Sequence, residues 1–125
     1  FNANFCEVWV EDTTGMVKIP RFVAVTGAGR ILNPKTSHSQ IIGGAIWGIG
    51  MALHEESILD PRYGNFVTRS FADYHIPAHL DIGKIETVFI NEEDKFVNKL
   101  GVKGIGEVGI VGVAAAVANA IFNAT

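Results

Sequence analysis

The 125 residues are short of cysteine, of proline and of positive charge, with one Cys, four Pro and ten Lys+Arg against thirteen Asp+Glu. A single thiol, Cys6, cannot close an internal disulfide, and no Cys/His group has the spacing of a zinc site. The net charge of −3 leaves no basic footprint for nucleic acid, so no such partner is expected. Charged residues are only 18% of the chain and hydrophobic ones 48%, which excludes a disordered or polyelectrolyte segment. Phe1 opens the sequence without a methionine or a basic n-region, so no signal peptide is read there. Residues 108–125 carry no charge, a length that would suit a membrane span. Gly109, Gly112, Asn119 and Asn123 interrupt the run, and a buried core helix is the expectation instead of a span. Both ends fall in mid-pattern, as in a piece of a longer chain.

What is abundant is glycine: fourteen residues, about 11% against a usual ~7%. The rest of the pattern is that of one domain, able to bury roughly two-thirds of its unfolded surface. Residues 4–11 alternate and are rich in Phe, Val and Trp, Thr13-Thr14-Gly15 is a turn signal, and residues 16–25 return as a second strand. An antiparallel hairpin is predicted. Asn33 and Pro34 read as the cap and first turn of a helix running to about Ser57, with Ile42, Ile46, Ile49 and Leu53 as its apolar stripe. Residues 60–64 form a turn between short extended stretches, and residues 85–90 alternate as another strand. Asn91-Glu92-Glu93-Asp94 reads as a solvated acidic turn with a structural role. A glycine-rich loop at 101–106 leads to a second helix whose stripe is Val111, Ala115, Ala118 and Phe122. The fold class is α+β, with antiparallel strands and two principal helices.

Gly43, Gly44, Gly48 and Gly50 lie within the first helix, where each costs about 1 kcal/mol relative to alanine. Close approach of another backbone or of a ligand is the physical reason for tolerating them. Gln40, at the entry of this helix, is either an exposed polar residue or an amide offering donor and acceptor to a polar ligand that the glycines admit.

Gly104-Ile105-Gly106-Glu107-Val108-Gly109 matches the G-x-G-x-x-G fingerprint. It lacks a firm strand before it and room for the acidic ribose ligand after it, and a carboxylate at position 107 would repel a diphosphate. His54-Glu55-Glu56-Ser57-Ile58 begins like H-E-x-x-H but ends on isoleucine, so no zinc site is read. His38, His75 and His79 are assigned surface or core hydrogen-bonding roles. Glu107 is the one charged residue after Lys103. It is either an acid complementing a helix N-terminus or a general base in a water-poor site, approached closely because Gly104 and Gly106 have no side chains.

These segments together resemble one family. Gly29-Arg30-Ile31-Leu32-Asn33-Pro34, Ser39-Gln40-Ile41-Ile42-Gly43-Gly44 and Trp47-Gly48-Ile49-Gly50-Met51-Ala52-Leu53 with Glu55-Glu56 are similar to the molybdenum-cofactor subunit of the xanthine dehydrogenase and aldehyde oxidase family. Phe71-Ala72-Asp73-Tyr74-His75-Ile76-Pro77 resembles its tyrosine-x-isoleucine-proline segment, and Lys103-Gly104-Ile105-Gly106-Glu107 its glycine-glutamate active-site loop. The opening around Cys6-Glu7-Val8 fits as well, so the resemblance covers nearly the whole chain.

The resemblance implies that residues 1–125 are the C-terminal portion of a molybdopterin-binding catalytic domain, its N-terminal bulk and a short C-terminal tail lying elsewhere. It implies oxidative hydroxylation of a small aldehyde or N-heterocycle, with water as oxygen source and Glu107 as general base at the molybdenum centre. Gln40, Gly43 and Gly44 would face the molybdenum-pterin cofactor, in its plain or cytosine dinucleotide form, and Lys103, Gly104 and Gly106 would form the loop beside it. None of these residues is a metal ligand. Iron-sulfur clusters and FAD are expected on partner subunits or domains. The expected compartment is the cytoplasm, or the periplasm where a partner carries an export signal. Gly27 stands where many relatives have an aspartate two residues before the glycine-arginine pair, and a local turn change is expected. Further pocket residues of the family lie far upstream, so the isolated chain is expected to be inactive. Two rival readings are a non-catalytic assembly module of the same fold and a dinucleotide-binding domain.

Overall fold

A computed structural model describes all 125 residues. The predicted hairpin forms from β1 (Asn2–Val10) and β2 (Val17–Thr26), paired antiparallel with a bulge between Glu7 and Trp9. Gly15 closes its turn at φ 72°, a conformation that favours glycine. Alternation sets the inner face: Asn2, Asn4 and Cys6 of β1 pair with Thr26, Ala24 and Phe22 of β2 and share its buried face, as does Val8. The third strand, β5 (Lys84–Phe89), follows the predicted segment closely, but it pairs parallel to β2, Arg21 with Lys84 through Thr26 with Phe89. The sheet order is β1-β2-β5. A parallel pairing requires a crossover, and the chain supplies it with α1 (Pro34–Leu53) and the two-stranded hairpin β3 (Leu59–Asp60) and β4 (Asn65–Phe66). α2 (Val113–Ala124) completes the α+β fold.

Both helices cover the inner face of the sheet. Phe22, Ala24 and Ile19 of β2, Ile41, Ala45 and Ile49 of α1, and Val113 and Val117 of α2 form one buried cluster. Each large side chain removed from water here contributes about 1.5–3 kcal/mol. Cys6 packs at its margin, and burial pushes its thiol up to about 11. His38 reaches from α1 to hydrogen-bond the Thr87 hydroxyl and meets the Phe89 ring edge-on at 4.9 Å, the core role expected of it.

The helix phases differ from expectation. On α1 the buried line is Ile41, Ala45, Gly48 and Ile49, while Ile42 and Ile46 are half-buried and line a separate cleft with Pro77, Ile82 and Ile85. The helix stops at Leu53, not Ser57: the His54 N–H makes the last regular bond, to the Gly50 carbonyl, and the Glu55 N–H falls on that same carbonyl instead of continuing the ladder to Met51, both at 2.9 Å. On α2 the buried residues are Val113 and Val117, and Val111 and Phe122 are exposed. Gly112 caps this helix at φ 82°, leaving Val111 outside it. No helix is long and apolar enough to cross a membrane.

Candidate functional site

Asn33 starts α1: its side chain accepts from the Thr36 N–H at 3.3 Å, and Pro34 fills a first-turn position where a missing N–H costs nothing. Gln40 therefore falls in the second turn, exposed, and its Nε2 donates to the carbonyl of Gly106 at 2.5 Å. That bond joins the helix to the glycine loop sixty-six residues later. Gln40, Gly43, Gly44, Gly106 and Glu107 line one cleft of about 160 Å³, together with Ser39, Trp47 and Ile110. Most of the predicted site residues thus meet in one place.

The glycines divide by what surrounds them. A Cβ at Gly44 would lie 2.7–2.9 Å from the backbone of Gly109 and Ile110, so its bare face serves the contact between α1 and the turn that follows Glu107. Gly48 does the same for Val113, whose Cβ would be only 2.3 Å away. At Gly50 the neighbours are the Glu55 carboxylate and Pro77. Over Gly43, Gly104 and Gly106 there is open space. Close approach by the protein's own backbone therefore explains Gly44, while Gly43 and Gly106 leave flat backbone facing outward on the cleft.

Glu107 is exposed in this chain and occupies a turn at residues 106–112. It stands well before the α2 cap at Gly112, so it does not act as an acid on that helix's first turn, where macrodipole effects are felt. The same geometry removes the dinucleotide fingerprint: residues 104–109 form loop and turn, preceded by nothing more than a single bridge between Gly29 and Val102. The turn is anchored from the sheet, where Asn4 donates to the Val111 carbonyl at 2.8 Å and Asn2 to that of Val108 at 3.3 Å.

Lys103 stands apart from the cleft. Its ammonium is 2.5 Å from Glu92 Oε1 and 3.1 Å from Asp94 Oδ2, with all three side chains about three-quarters covered. The Lys103 bond and the Gly29 N–H hold the Glu92 carboxyl below its usual range. The Phe96 N–H, then Lys103, does so for Asp94, and the two acids raise Lys103 in turn. The acidic segment at 91–94 is irregular, not the turn expected, which follows at residues 95–97; Glu92 and Asp94 are ion-paired and partly covered where solvation was predicted. Glu55, in the abortive zinc motif, accepts the Tyr74 hydroxyl at 2.7 Å. Gly27 is buried against the ring of Phe1 and continues the hairpin ladder, its N–H on the Phe1 carbonyl at 2.9 Å.

The sequence reading missed Trp47 and Ile110 as walls of the cleft, and Asn2, Asn4 and Glu92 as its anchors. The asparagines carried a signal: two polar residues at inward positions of an otherwise apolar strand. A larger cleft of about 730 Å³, lined in part by Arg30, Phe89, Lys95 and Leu100, contains neither Gln40 nor Glu107. Chemistry, not volume, selects the smaller one.

Residues 1–83 match the molybdopterin cofactor-binding domain family. The chain belongs to that family. Over all 125 residues the domain is 48% identical to the aldehyde oxidoreductase molybdenum-binding subunit PaoC of Escherichia coli (strain K12), covering 17% of that protein. It is 38% identical over 125 residues to the 6-hydroxypseudooxynicotine dehydrogenase complex subunit gamma of Paenarthrobacter nicotinovorans, 99% of this chain and 16% of that one. Among solved structures, a reconstituted CO dehydrogenase from Oligotropha carboxidovorans superposes with a TM-score of 0.91 at 31% identity, over 99% of this domain and 15% of that chain. The domain spans about a sixth of the length of the curated relatives it matches.

The site's donor set suits a pterin. With one N–H of Gln40 on Gly106, its Oε1 and second N–H remain for a heterocycle that both donates and accepts. Gly43 and Gly106 present backbone that a flat ring could approach, since no atom lies where their side chains would be.

Proposed function

We propose that this chain is the C-terminal portion, residues 1–125, of the molybdopterin-binding catalytic domain of a molybdenum hydroxylase large subunit. The reaction is oxidation of a small substrate with water as oxygen source. An aldehyde is favoured over an N-heterocycle by the 48% identity to a subunit named for aldehyde oxidation. The observation that carries this reading is the meeting of Gln40, Gly43, Gly106 and Glu107 on one cleft.

When bound, the molybdenum-pterin cofactor supplies the two-electron oxidation. Gln40 hydrogen-bonds the pterin while its other donor stays on Gly106, and Gly43 and Gly106 allow close contact. The backbone from Lys103 to Gly106 forms the adjoining wall, and Gly44 keeps α1 seated on the turn behind it. Glu107 takes up at its carboxylate the proton that water loses as its oxygen passes to substrate, and returns it to solvent afterwards. The cytosine dinucleotide form of the pterin, and iron-sulfur and flavin subunits that carry electrons away, belong to the same proposal, as does a cytoplasmic site of action. Glu107 is exposed in this chain, so the remaining walls of a water-poor pocket come from the rest of the subunit, and the 125 residues alone are inactive.

The test is Glu107→Gln in the full-length subunit with its partners, read as aldehyde-dependent dye reduction per bound molybdenum. Activity is expected to fall about 100-fold or more, the range of a lost general base, with molybdenum content unchanged. Equal turnover by both proteins would overturn the assignment.

A further inference from the structure

We propose that Glu92 is a positioning residue that fixes the Glu107 loop against the start of α1, through both of its carboxylate oxygens. This rests on the reading of Glu107 as the base. Oε1 holds the Lys103 ammonium at 2.5 Å, and Oε2 accepts the Gly29 N–H at 3.0 Å. Gly29 precedes the Asn33 cap from which α1 delivers Gln40, and Lys103 precedes the glycine run that delivers Glu107. One carboxylate thus ties together the two segments that form the cleft.

Backbone contacts show how closely they are joined. The Arg30 N–H donates to the Gly101 carbonyl at 2.8 Å, and Gly29 bridges Val102. Gly29 has φ 64°, and a Cβ there would be 2.4 Å from the Gly101 oxygen. Beyond Lys103 the loop has little of its own to hold it. Gly104 and Gly106 face open space, and the next tether is the Gln40 bond to the Gly106 carbonyl. Two clamps, at Lys103 and Gly106, therefore bracket Gly104 and Ile105, with Glu107 immediately past the second. A shift of about 1 Å in a catalytic group can cost on the order of 100-fold in rate, which makes the first clamp a determinant of turnover although it touches no reacting atom.

The experiment uses the full-length subunit with its partner chains. Glu92→Ala removes both bonds; Glu92→Gln keeps an acceptor for Gly29 but not the charge facing Lys103; Glu92→Asp keeps the charge on a shorter stem. Amide hydrogen exchange at residues 104–108 and steady-state aldehyde oxidation are both read, with molybdenum per subunit measured alongside. For Glu92→Ala, exchange at 104–108 is expected to quicken about tenfold or more and kcat to fall roughly 10- to 100-fold, with KM and molybdenum content held. Glu92→Asp should recover part of kcat, and Lys103→Met should cost little more once Glu92 and Asp94 have become amides. Unchanged exchange in Glu92→Ala overturns the tether, and faster exchange with unchanged kcat overturns its role in positioning. If Glu92→Ala does not fold, the same two criteria apply to Glu92→Gln. The Glu107→Gln result judges the general-base reading separately, because the exchange measurement does not depend on it.

Discussion

Adjacent glycines on α1 should respond in opposite ways to the same added methyl group. Alanine at either position gains the helix propensity that glycine lacks, about 1 kcal/mol. At Gly43 nothing lies within 4 Å of the new Cβ, so the gain is uncompensated. At Gly44 the Cβ would come within 2.7–2.9 Å of backbone atoms of Gly109 and Ile110, which cannot rotate away as a side chain can. Overpacking costs about 1–3 kcal/mol, and a backbone obstacle places this case near the upper end. The net effect at Gly44 is then a loss of about 2 kcal/mol, concentrated where α1 meets the turn carrying Glu107. One tenfold step in an opening equilibrium is about 1.4 kcal/mol. Gly44→Ala should therefore speed amide exchange at residues 107–113 by roughly 30-fold, and Gly43→Ala should slow exchange within α1 by up to about fivefold. Hydrogen exchange with mass spectrometry on the full-length apo-subunit reads both. If the two alanines behave alike, the division of these glycines between packing and cleft is wrong. The pterin contact proposed at Gly43 adds a second readout: Gly43→Ala, stable as apo-protein, should retain less pterin.

Two further outcomes follow from the packing and the clasp. Gly48→Ala should open the helix pair by a similar amount, since its Cβ would sit 2.3 Å from that of Val113; adding Val113→Ala, which keeps that Cβ, should not restore exchange at 113–120, and full rescue by it would contradict the contact. Glu92 and Asp94 have carboxyls held below their ordinary values, which are about 4.3 and 3.9. Their contribution is therefore full above those values and lost as pH falls through the lower, folded-state values. Lys103, raised, keeps its charge until pH climbs past its ordinary value of about 10.4. Protection of residues 104–108, corrected for intrinsic exchange, should be flat between pH 5 and 8 and decline below about pH 4; a decline already between pH 6 and 5 would point to other groups.

Strands were easier to read from the sequence than helix faces, and the reason is physical. Along residues 4–11 and 16–25 the side chains alternate in and out, so a two-residue period carries both the strand and its buried face. On α1 the large apolar residues Ile42 and Ile46 mark one line, whereas the tight contact runs along Ile41, Ala45 and Gly48. Small residues bring helices together without any hydrophobic signal, so the stripe drawn through large residues takes in the buried Ile49 but misses Ala45 and Gly48. On α2 no charged residue marks the solvent side, and the only polar marks are Asn119 and Asn123, both exposed, which the stripe through Val111, Ala115, Ala118 and Phe122 did not use. Of the candidate site, Gln40 and Glu107 stood out because each is singular in its surroundings, whereas Gly43 was one of four glycines within α1. The fastenings of the site did not stand out. Glu92 meets Lys103 eleven residues on and Gly29 sixty-three residues back, and an acidic stretch read locally looks like any solvated surface.

Thr26 and Phe89 are register partners at one end of the parallel pair β2 and β5. The loops leaving them start one strand spacing apart, about 4.8 Å, although the chain makes a long detour between them. One tip of that detour is the β3–β4 hairpin, whose turn around Tyr63 and Gly64 is exposed. Residues added or removed at that tip lengthen or shorten a surface excursion, while both loops still leave the sheet side by side. The fold thus separates what must stay constant from what is free to vary. The hairpin turn is where this chain can change length with the pairing of β2 and β5 left as it is.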